Sequence, residues 1–332
     1  MLSHTTYIDL FAGIGGFHQA MDSFGARCLF ASEWDKECQY SYEENYGIKP
    51  YGDITQIKEE EIPSHDILCA GFPCQAFSIS GKQRGFEDSR GTLFFEVARI
   101  AKYHQPKMLL LENVRNFEKH DNGNTLRTVK TTLEEIGYTF FSKVLNASHF
   151  GVPQKRERIF MVAFRKDLNI HTFTFPSGNN KAVTLQDFLD KGEEHPHLVI
   201  QRDDIQFKEN ITIDKDMFGN YPQKPIRIGT VNKGGQGERI YSPLGHAITL
   251  SAYGGGVGAK TGLYKIDHHI RRLSPEECRR ITGFSKDFKL HPKATVSYRQ
   301  FGNSVVVTVL QAILKQVVDC HLLETKPIKE AS

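Results

Sequence analysis

Short apolar runs alternate with amphipathic stretches through the first 165 residues of the chain. TYIDLF, CLFASEW, DILCAG, PKMLLLENV, FFSKVLNA and RIFMVAF have the compact apolar character of buried strands. GGFHQAMDSFG, DKECQYSYEENYG, TLFFEVARIAKYH and NTLRTVKTTLEEIG lie between them as amphipathic helices. This alternation predicts an α/β fold built on a doubly wound, Rossmann-like sheet, in which ligands sit outside the carboxyl ends of the strands. The polar motifs of the chain fall just after its apolar runs, where such a sheet presents reactive groups. Residues 166–220 loosen into polar sequence with Pro and His, the expected domain boundary. Residues 221–265 are rich in glycine, with few runs able to form a core, and predict a smaller domain whose contact surface is made of irregular loops. NSVVVTVLQAILKQVVDCHLL predicts a buried terminal helix capped by Asn303 or Ser304.

DLFAGIGGF follows the first strand, and Gly13, Gly15 and Gly16 allow a tight turn into a helix whose free N–H groups could receive an anion. A dinucleotide fingerprint would place glycine where this chain has His18, so a pyrophosphate cofactor is disfavoured. Glu33, 17 residues beyond Gly16, suits ribose hydroxyls, Trp34 suits an adenine face, and Asp53 of YGDI adds a third edge. A ligand with ribose, adenine and a carboxylate but no phosphate fits, and S-adenosyl-L-methionine is the common one. Taken singly, each of these residues is equally a surface acid or a core aromatic.

Composition adds bounds. The 332 residues, 39% hydrophobic and 24% charged, suffice for two domains with a proper core. No stretch approaches the roughly 20 apolar residues of a membrane span, and the start lacks a basic and then apolar leader, so a cytoplasmic protein without a membrane partner is expected. Six cysteines without a C-x-x-C pair point to reduced thiols, no zinc motif occurs, and His268-His269 reads as a solvated turn. The net charge of +3 hides an asymmetry: residues 221–300 carry +9 and residues 1–220 carry −6. A catalytic body followed by a polyanion-facing module would look like this, and so would an unevenly charged solvated surface.

DLFAGIGGF, EWD, GDI, GFPCQAFS, ENV, QKRERIF and YRQFGNSV, in this order and over nearly the whole chain, resemble the motif series of the DNA (cytosine-5) methyltransferases. The resemblance implies a methyltransferase sheet with a smaller target-recognition domain, divided as 1–187 for catalysis and cofactor, 188–300 for recognition and hinge, and 301–332 returning to the catalytic domain. It implies a mechanism in which a thiolate adds to carbon 6 of cytosine, breaking the aromaticity, so that carbon 5 can attack the sulfonium methyl before losing its proton. Cys74 matches the nucleophile, flanked by Pro73, which would fix the turn, and Gln75. A free thiol of pKa about 8.5 is mostly protonated near neutrality, so its surroundings should favour the thiolate. Glu112 matches the acid at ring N3, Arg158 with Arg156 the cation near O2, and Asn113 the residue orienting the strand end. Glu112 then needs a raised pKa and a sheltered site; an ion pair with Arg158 is its structural alternative. Cys69 reads as core. The cofactor pocket is expected to include Phe11, Gly13, Gly15, Gly16, Glu33, Trp34, Asp53, Ile54, Leu93, Asn303 and Ser304.

The target base must leave the stack to be reached, at a few kcal/mol. SISGKQRGFEDSRG resembles a loop closing over double-stranded DNA, with Lys82 and Arg84 for phosphates and Ser80 approaching from the other groove, or else an ordinary exposed loop. GGQGERIYS, AITLSAYGGG and AKTGLY are most similar to the recognition segment of family members that read GCGC, which implies that target with its first cytosine methylated. Gln236 would face the orphan guanine and Arg239 a guanine edge, with Tyr253, Gly254 and Gly255 shaping the groove contacts, and Thr249 matches a family threonine in this region. A monomer is expected, with a separate cognate restriction endonuclease as a possible companion. The rivals are an RNA cytosine methyltransferase, an inactive DNA-binding relative, which would be expected to have lost Cys74, Glu112 or Arg158, and a dinucleotide oxidoreductase.

Overall fold

The computed structural model describes residues 1–73, 93–179, 181–190 and 195–323. Along the first half run β1 (Thr6–Leu10), α1 (Gly16–Asp22), β2 (Arg27–Ser32), α2 (Lys36–Tyr46), β3 (Ile67–Ala70), α3 (Leu93–His104), β4 (Met108–Val114), α4 (Asn124–Glu135), β5 (Tyr138–Asn146) and β6 (Glu157–Arg165). The six strands form one sheet in the order β2-β1-β3-β4-β6-β5. β1 to β4 are mutually parallel, and β6 runs antiparallel to both β4 and β5. This is the doubly wound α/β sheet that the alternation predicts.

The pleat splits the apolar residues cleanly. Tyr7, Ile67, Cys69, Met108, Leu110, Phe160 and Val162 join one core with Phe17 of α1. Ile8, Leu10, Leu68, Ala70, Leu109, Leu111 and Met161 join a second core with α3 and α4. Each fully buried side chain of this kind is worth roughly 1.5–3 kcal/mol against exposure, and β3, buried on both faces, reads in sequence as the continuous run ILCA. Cys69 lies inside it with no exposed surface, as core.

A second sheet contains β7 (Gln206–Phe207), β8 (Ile226–Thr230), β9 (Arg239–Ser242), β10 (Leu263–Ile266) and β11 (His269–Arg271), in the order β11-β10-β9-β8-β7. The glycine-rich region is therefore not made of irregular loops alone, as its composition suggested. Val231, Ile240, Leu263 and Ile270 supply a small core of its own. Single apolar residues scattered among glycines build it, so no run announces the strands. Asp267 and His268 form the exposed turn between β10 and β11.

The chain returns through α5 (Pro275–Ile281), α6 (Ala294–Asn303) and α7 (Val307–Asp319), and α7 packs on α1. Asn303 and Ser304 do not cap α7; Asn303 ends α6 and Ser304 follows in extended backbone. The terminal helix begins only at Val307, whose N–H goes to the Thr282 carbonyl, because the carbonyl of Ser304 is drawn away by Arg156. Ala294–Asp319 has the length and hydropathy of a membrane span, contrary to the sequence reading, but it is broken between α6 and α7 and over half of its most apolar window is buried inside the protein, as in a soluble core helix. The five described cysteines are free thiols.

Candidate active site

The reversed direction of β6 matters for chemistry. Its first residues share an edge with the last residues of β4, so Arg158 pairs with Val114 across the ladder and Glu157 begins the strand where β4 ends. Glu112 and Arg158 meet at this edge, Arg158 Nε lying 3.1 Å from Glu112 Oε1, with only 12% of the carboxylate side chain exposed. Burial raises the Glu112 pKa, and the nearby guanidinium groups of Arg158 and then Arg156 oppose the rise. Asn113, on the opposite face of the strand, is buried; its amide donates to the Phe72 carbonyl at 2.9 Å and its Oδ1 accepts from Val114 N–H at 2.8 Å. β4 thus fixes the strand end Gly71–Pro73 beside Glu112: a Cβ on Gly71 would stand 3.7 Å from Glu112 Oε2. Pro73 is the last described residue there; Cys74 and Gln75, and Ser80, Lys82 and Arg84, lie outside the described residues.

Arg156 does not accompany Arg158. It is 2% exposed, and its two Nη atoms donate to three backbone carbonyls, those of Leu250, Gly302 and Ser304, while its Nε is buried without a hydrogen-bond partner among the described residues, so the guanidinium is turned to backbone and away from a base. Burial and then the neighbouring Arg158 push its pKa down to about 9. Two arginines of one motif have separated because Arg156 precedes β6 and Arg158 lies within it.

At the other strand ends, Phe11 follows β1 with a left-handed φ of 55°, a strained state for a non-glycine residue and one that clusters at functional sites. Gly13 also has φ 55°, and a Cβ there would meet nothing within 4 Å, so the turn has an open side. Gly15, at φ 81°, has no such room, since a Cβ would strike the Tyr46 ring. Gly16 lies against Ser304 and Val305. Glu33, at the end of β2, is buried and accepts from Gly13 N–H and Asp35 N–H, both at 2.8 Å. Burial raises its pKa while these backbone bonds lower it. Trp34 beside it is 77% exposed. Asp53 is exposed and caps the turn in which Ile54 is buried, accepting from Thr55 N–H at 3.0 Å. Leu93 starts α3, half-buried, and Asn303 is exposed.

Sequence reasoning missed what lies under this turn. Asp9 of β1 is fully buried, with the Tyr42 hydroxyl donating to it at 3.4 Å, and burial holds its pKa well above the carboxylate range. His18 Nδ1 lies 2.7 Å from the same hydroxyl and its ring stacks on Tyr46, whose own hydroxyl bonds the Ile14 and Gly15 carbonyls at 3.0 and 3.1 Å. His18 therefore supports the turn from below instead of leaving the space a third glycine would give. With Gly13 N–H already given to Glu33, the turn has one donor fewer for a pyrophosphate. A ligand with hydroxyls and an adenine suits the open side, Glu33 and Trp34. An aspartate in the middle of an apolar strand was the available signal.

In the second sheet, Gln236 is exposed at the tip between β8 and β9, and Arg239 opens β9 with its Nε buried and without a hydrogen-bond partner among the described residues. Glu238 folds the tip, accepting from Gly235 N–H at 2.8 Å and from the Asn232 side chain at 2.9 Å. Arg202 and Asp204 brace Asn232 in turn, at 2.6 and 2.9 Å. The tip docks backbone to backbone on the next segment: Gly258 N–H donates to the Gly237 carbonyl at 2.7 Å. Tyr253 is 82% exposed there, Gly254 lies half-buried and Gly255 is exposed. The Thr249 hydroxyl is already engaged with the Lys155 carbonyl.

Comparison with known proteins agrees with this geometry. The family model described as C-5 cytosine-specific DNA methylase matches residues 5–319. The chain is 55% identical over 312 residues to the type II methyltransferase M.HhaI of Haemophilus parahaemolyticus, covering 94% of each chain. It is 41% identical to the type II methyltransferase M.HpaII of Haemophilus parainfluenzae, over 95% of this chain and 89% of the other. The S. pombe Dnmt2 methyltransferase structure superposes with a TM-score of 0.70 at 18% identity, covering 96% of this chain and 99% of the other, a likeness of fold. The strand-end carboxylate and guanidinium, the glycine turn and the family match together identify the chain as a member of the C-5 cytosine-specific DNA methylase family, a DNA (cytosine-5) methyltransferase.

Proposed function

We propose that the enzyme methylates the first cytosine of GCGC in double-stranded DNA after flipping it from the helix, through a covalent bond between Cys74 and carbon 6. The observation that carries the site assignment is the buried Glu112–Arg158 pair, 3.1 Å apart, next to the fixed strand end that leads into Cys74. A protonated Glu112 would hold ring N3 and Arg158 would sit near O2, so that negative charge entering the ring on thiolate addition is met by a donor and a cation already in place. Asn113 and Pro73 hold the approach of the nucleophile. S-adenosyl-L-methionine, bound at Gly13, Glu33 and Trp34, would supply an electrophilic methyl group. Phe11, Gly15, Gly16, Asp53, Ile54, Leu93, Asn303 and Ser304 would enclose it.

The 55% identity to M.HhaI and the shared segment GGQGERIYS support GCGC as the target. Gln236 and Arg239 would read it, Tyr253 would shape the groove contacts, Lys82 and Arg84 would meet phosphates, and Ser80 would approach from the other groove. The smaller sheet belongs to residues 188–300 as a recognition domain, and 301–332 returns to the catalytic domain of 1–187. A cytoplasmic monomer working beside a separate cognate endonuclease fits a type II modification enzyme.

The test is transfer of labelled methyl from S-adenosyl-L-methionine to duplexes with and without GCGC. Label should enter only the GCGC duplex, and Cys74→Ser should abolish it. A GCGC duplex with 5-fluorocytosine at the first cytosine should give an adduct that survives denaturation, because fluorine cannot leave as a proton does. Label in structured RNA with none in either duplex would refute the substrate assignment, and absence of the adduct would refute thiol addition.

A further inference from the structure

Three carbonyls from two distant parts of the chain converge on one buried side chain. Arg156 Nη1 donates to Leu250 O at 3.1 Å, and Nη2 donates to Gly302 O at 3.0 Å and Ser304 O at 2.6 Å. Leu250 leads into the segment that presents Tyr253. Ser304 and Val305 lie against Gly16 of the glycine turn, a Cβ on Gly16 standing 3.3 Å from Ser304 Oγ. Gly302 fills the remaining gap, since any side chain there would strike the backbone of Ser251 and Ala252.

Gln154, also buried, holds the other side of Leu250. Its Oε1 accepts Leu250 N–H at 3.3 Å, and its Nε2 donates to Ile281 O at 2.9 Å. The backbone of the same short stretch is joined to the recognition segment: Ala247 N–H donates to Pro153 O at 2.6 Å and Lys155 N–H to Ala247 O at 3.0 Å. The glycine turn, the connector 302–304 and residues 250–253 thus form one packed series with the Arg156 guanidinium at its centre. Arg156 Nε already lies buried without a partner among the described residues, so withdrawal of any of the three carbonyls would leave still more of a buried cation unpaired, which is costly. Lysine could not replace the fork, because an ammonium is a point donor and the guanidinium spans carbonyls in fixed directions.

We propose that Arg156 is a positioning residue that couples occupancy of the cofactor turn to the order of the recognition segment. A ligand that closes the glycine turn holds Ser304 and Val305 against Gly16, and the guanidinium transmits this to Leu250, so that residues 250–253 meet the duplex already arranged. This rests on the assignment of the cofactor and recognition ends under the proposed function.

The experiment measures binding of a GCGC duplex with and without saturating S-adenosylhomocysteine, which has no methyl group to transfer. In the wild type the ligand should tighten duplex binding about fivefold or more, and by linkage the duplex should tighten ligand binding by the same factor. In Arg156→Lys the factor should fall below about twofold. A second reading needs no DNA: S-adenosylhomocysteine should slow amide hydrogen exchange in residues 250–253 at least threefold in the wild type, and fail to do so in Arg156→Lys. A wild-type factor of one, an undiminished factor in the variant, or unchanged exchange in the wild type would each overturn the coupling. A wild-type protein that bound neither ligand would instead overturn the proposed function, and the coupling with it.

Discussion

Glu112 has to reconcile two demands, an ion pair with Arg158 that favours its charged form and a burial that favours its neutral one. Since burial raises its pKa, the protonated fraction, and with it activity, should fall as pH rises through that raised value. Glu112→Gln should lower kcat roughly a hundredfold or more and flatten this limb of the pH profile, because an amide donates at every pH. An unchanged profile in the variant would assign the limb to another group. Trp34, the chain's single tryptophan, stands exposed beside Glu33. Its emission should shift to the blue and change saturably on titration with S-adenosylhomocysteine, and Trp34→Ala should weaken that ligand about tenfold, the loss of one stacking contact worth about 1.4 kcal/mol. No emission change would remove Trp34 from the pocket. At this scale the sequence was most legible for placement: Glu112 stands sheltered beside Arg158, and Glu33 stands buried at the end of β2. It failed for Arg156, because two arginines two positions apart look alike until β6 begins between them, and for Asp9, whose partners come from α2.

Among the elements, the turn between β8 and β9 is made of backbone contacts that leave no space for side chains. A methyl group on Gly237 would overlap the Gly255 carbonyl oxygen. Gly237→Ala should therefore weaken GCGC duplex binding at least tenfold while S-adenosylhomocysteine binding, measured by calorimetry, stays within twofold; equal loss of both would place the damage in the fold at large. Glu238→Ala should act in the same direction, since it releases Gly235 and Asn232 together. The elements of the large sheet could be read directly, because its strands are apolar runs and most of its helices are amphipathic, α2 excepted, which buries Gln39, Ser41 and Tyr42. The strands of the small sheet could not. β9 and β10 each offer few inward apolar residues, and their pairing depends on glycines that permit close approach, a long-range condition that no local pattern expresses. The start of α7 was misread for a related reason: Asn303 and Ser304 have cap chemistry, but a tertiary contact from Arg156 keeps Ser304 outside the helix.

The molecule as a whole carries an acid-sensitive load. Burial depresses the pKa of both His65 and His246 from 6.5 to about 4, so the folded state resists protons that the unfolded chain accepts. Stability should be full above about pH 6.5 and lost as pH falls toward 4, by up to about 3 kcal/mol for each histidine. Thermal melts from pH 7.5 to 4.5 should show it, and His65→Gln should melt with a shallower pH dependence; a parallel curve would assign the loss elsewhere. The charge asymmetry, +9 in residues 221–300, likewise predicts duplex binding that weakens steeply with salt. One face of the small sheet rests on a four-residue core of its own, while Tyr241, Tyr264 and Ile266 on its other face join a core of the large sheet. Gln236 and Tyr253 stand exposed outside both, so under the proposed function the proposed reading surface can change with little cost to either core. A library randomised at Gln236, Arg239 and Tyr253 should yield descendants with new dialects of DNA sequence and an unchanged melting point, a route by which one ancestral body can diversify its targets.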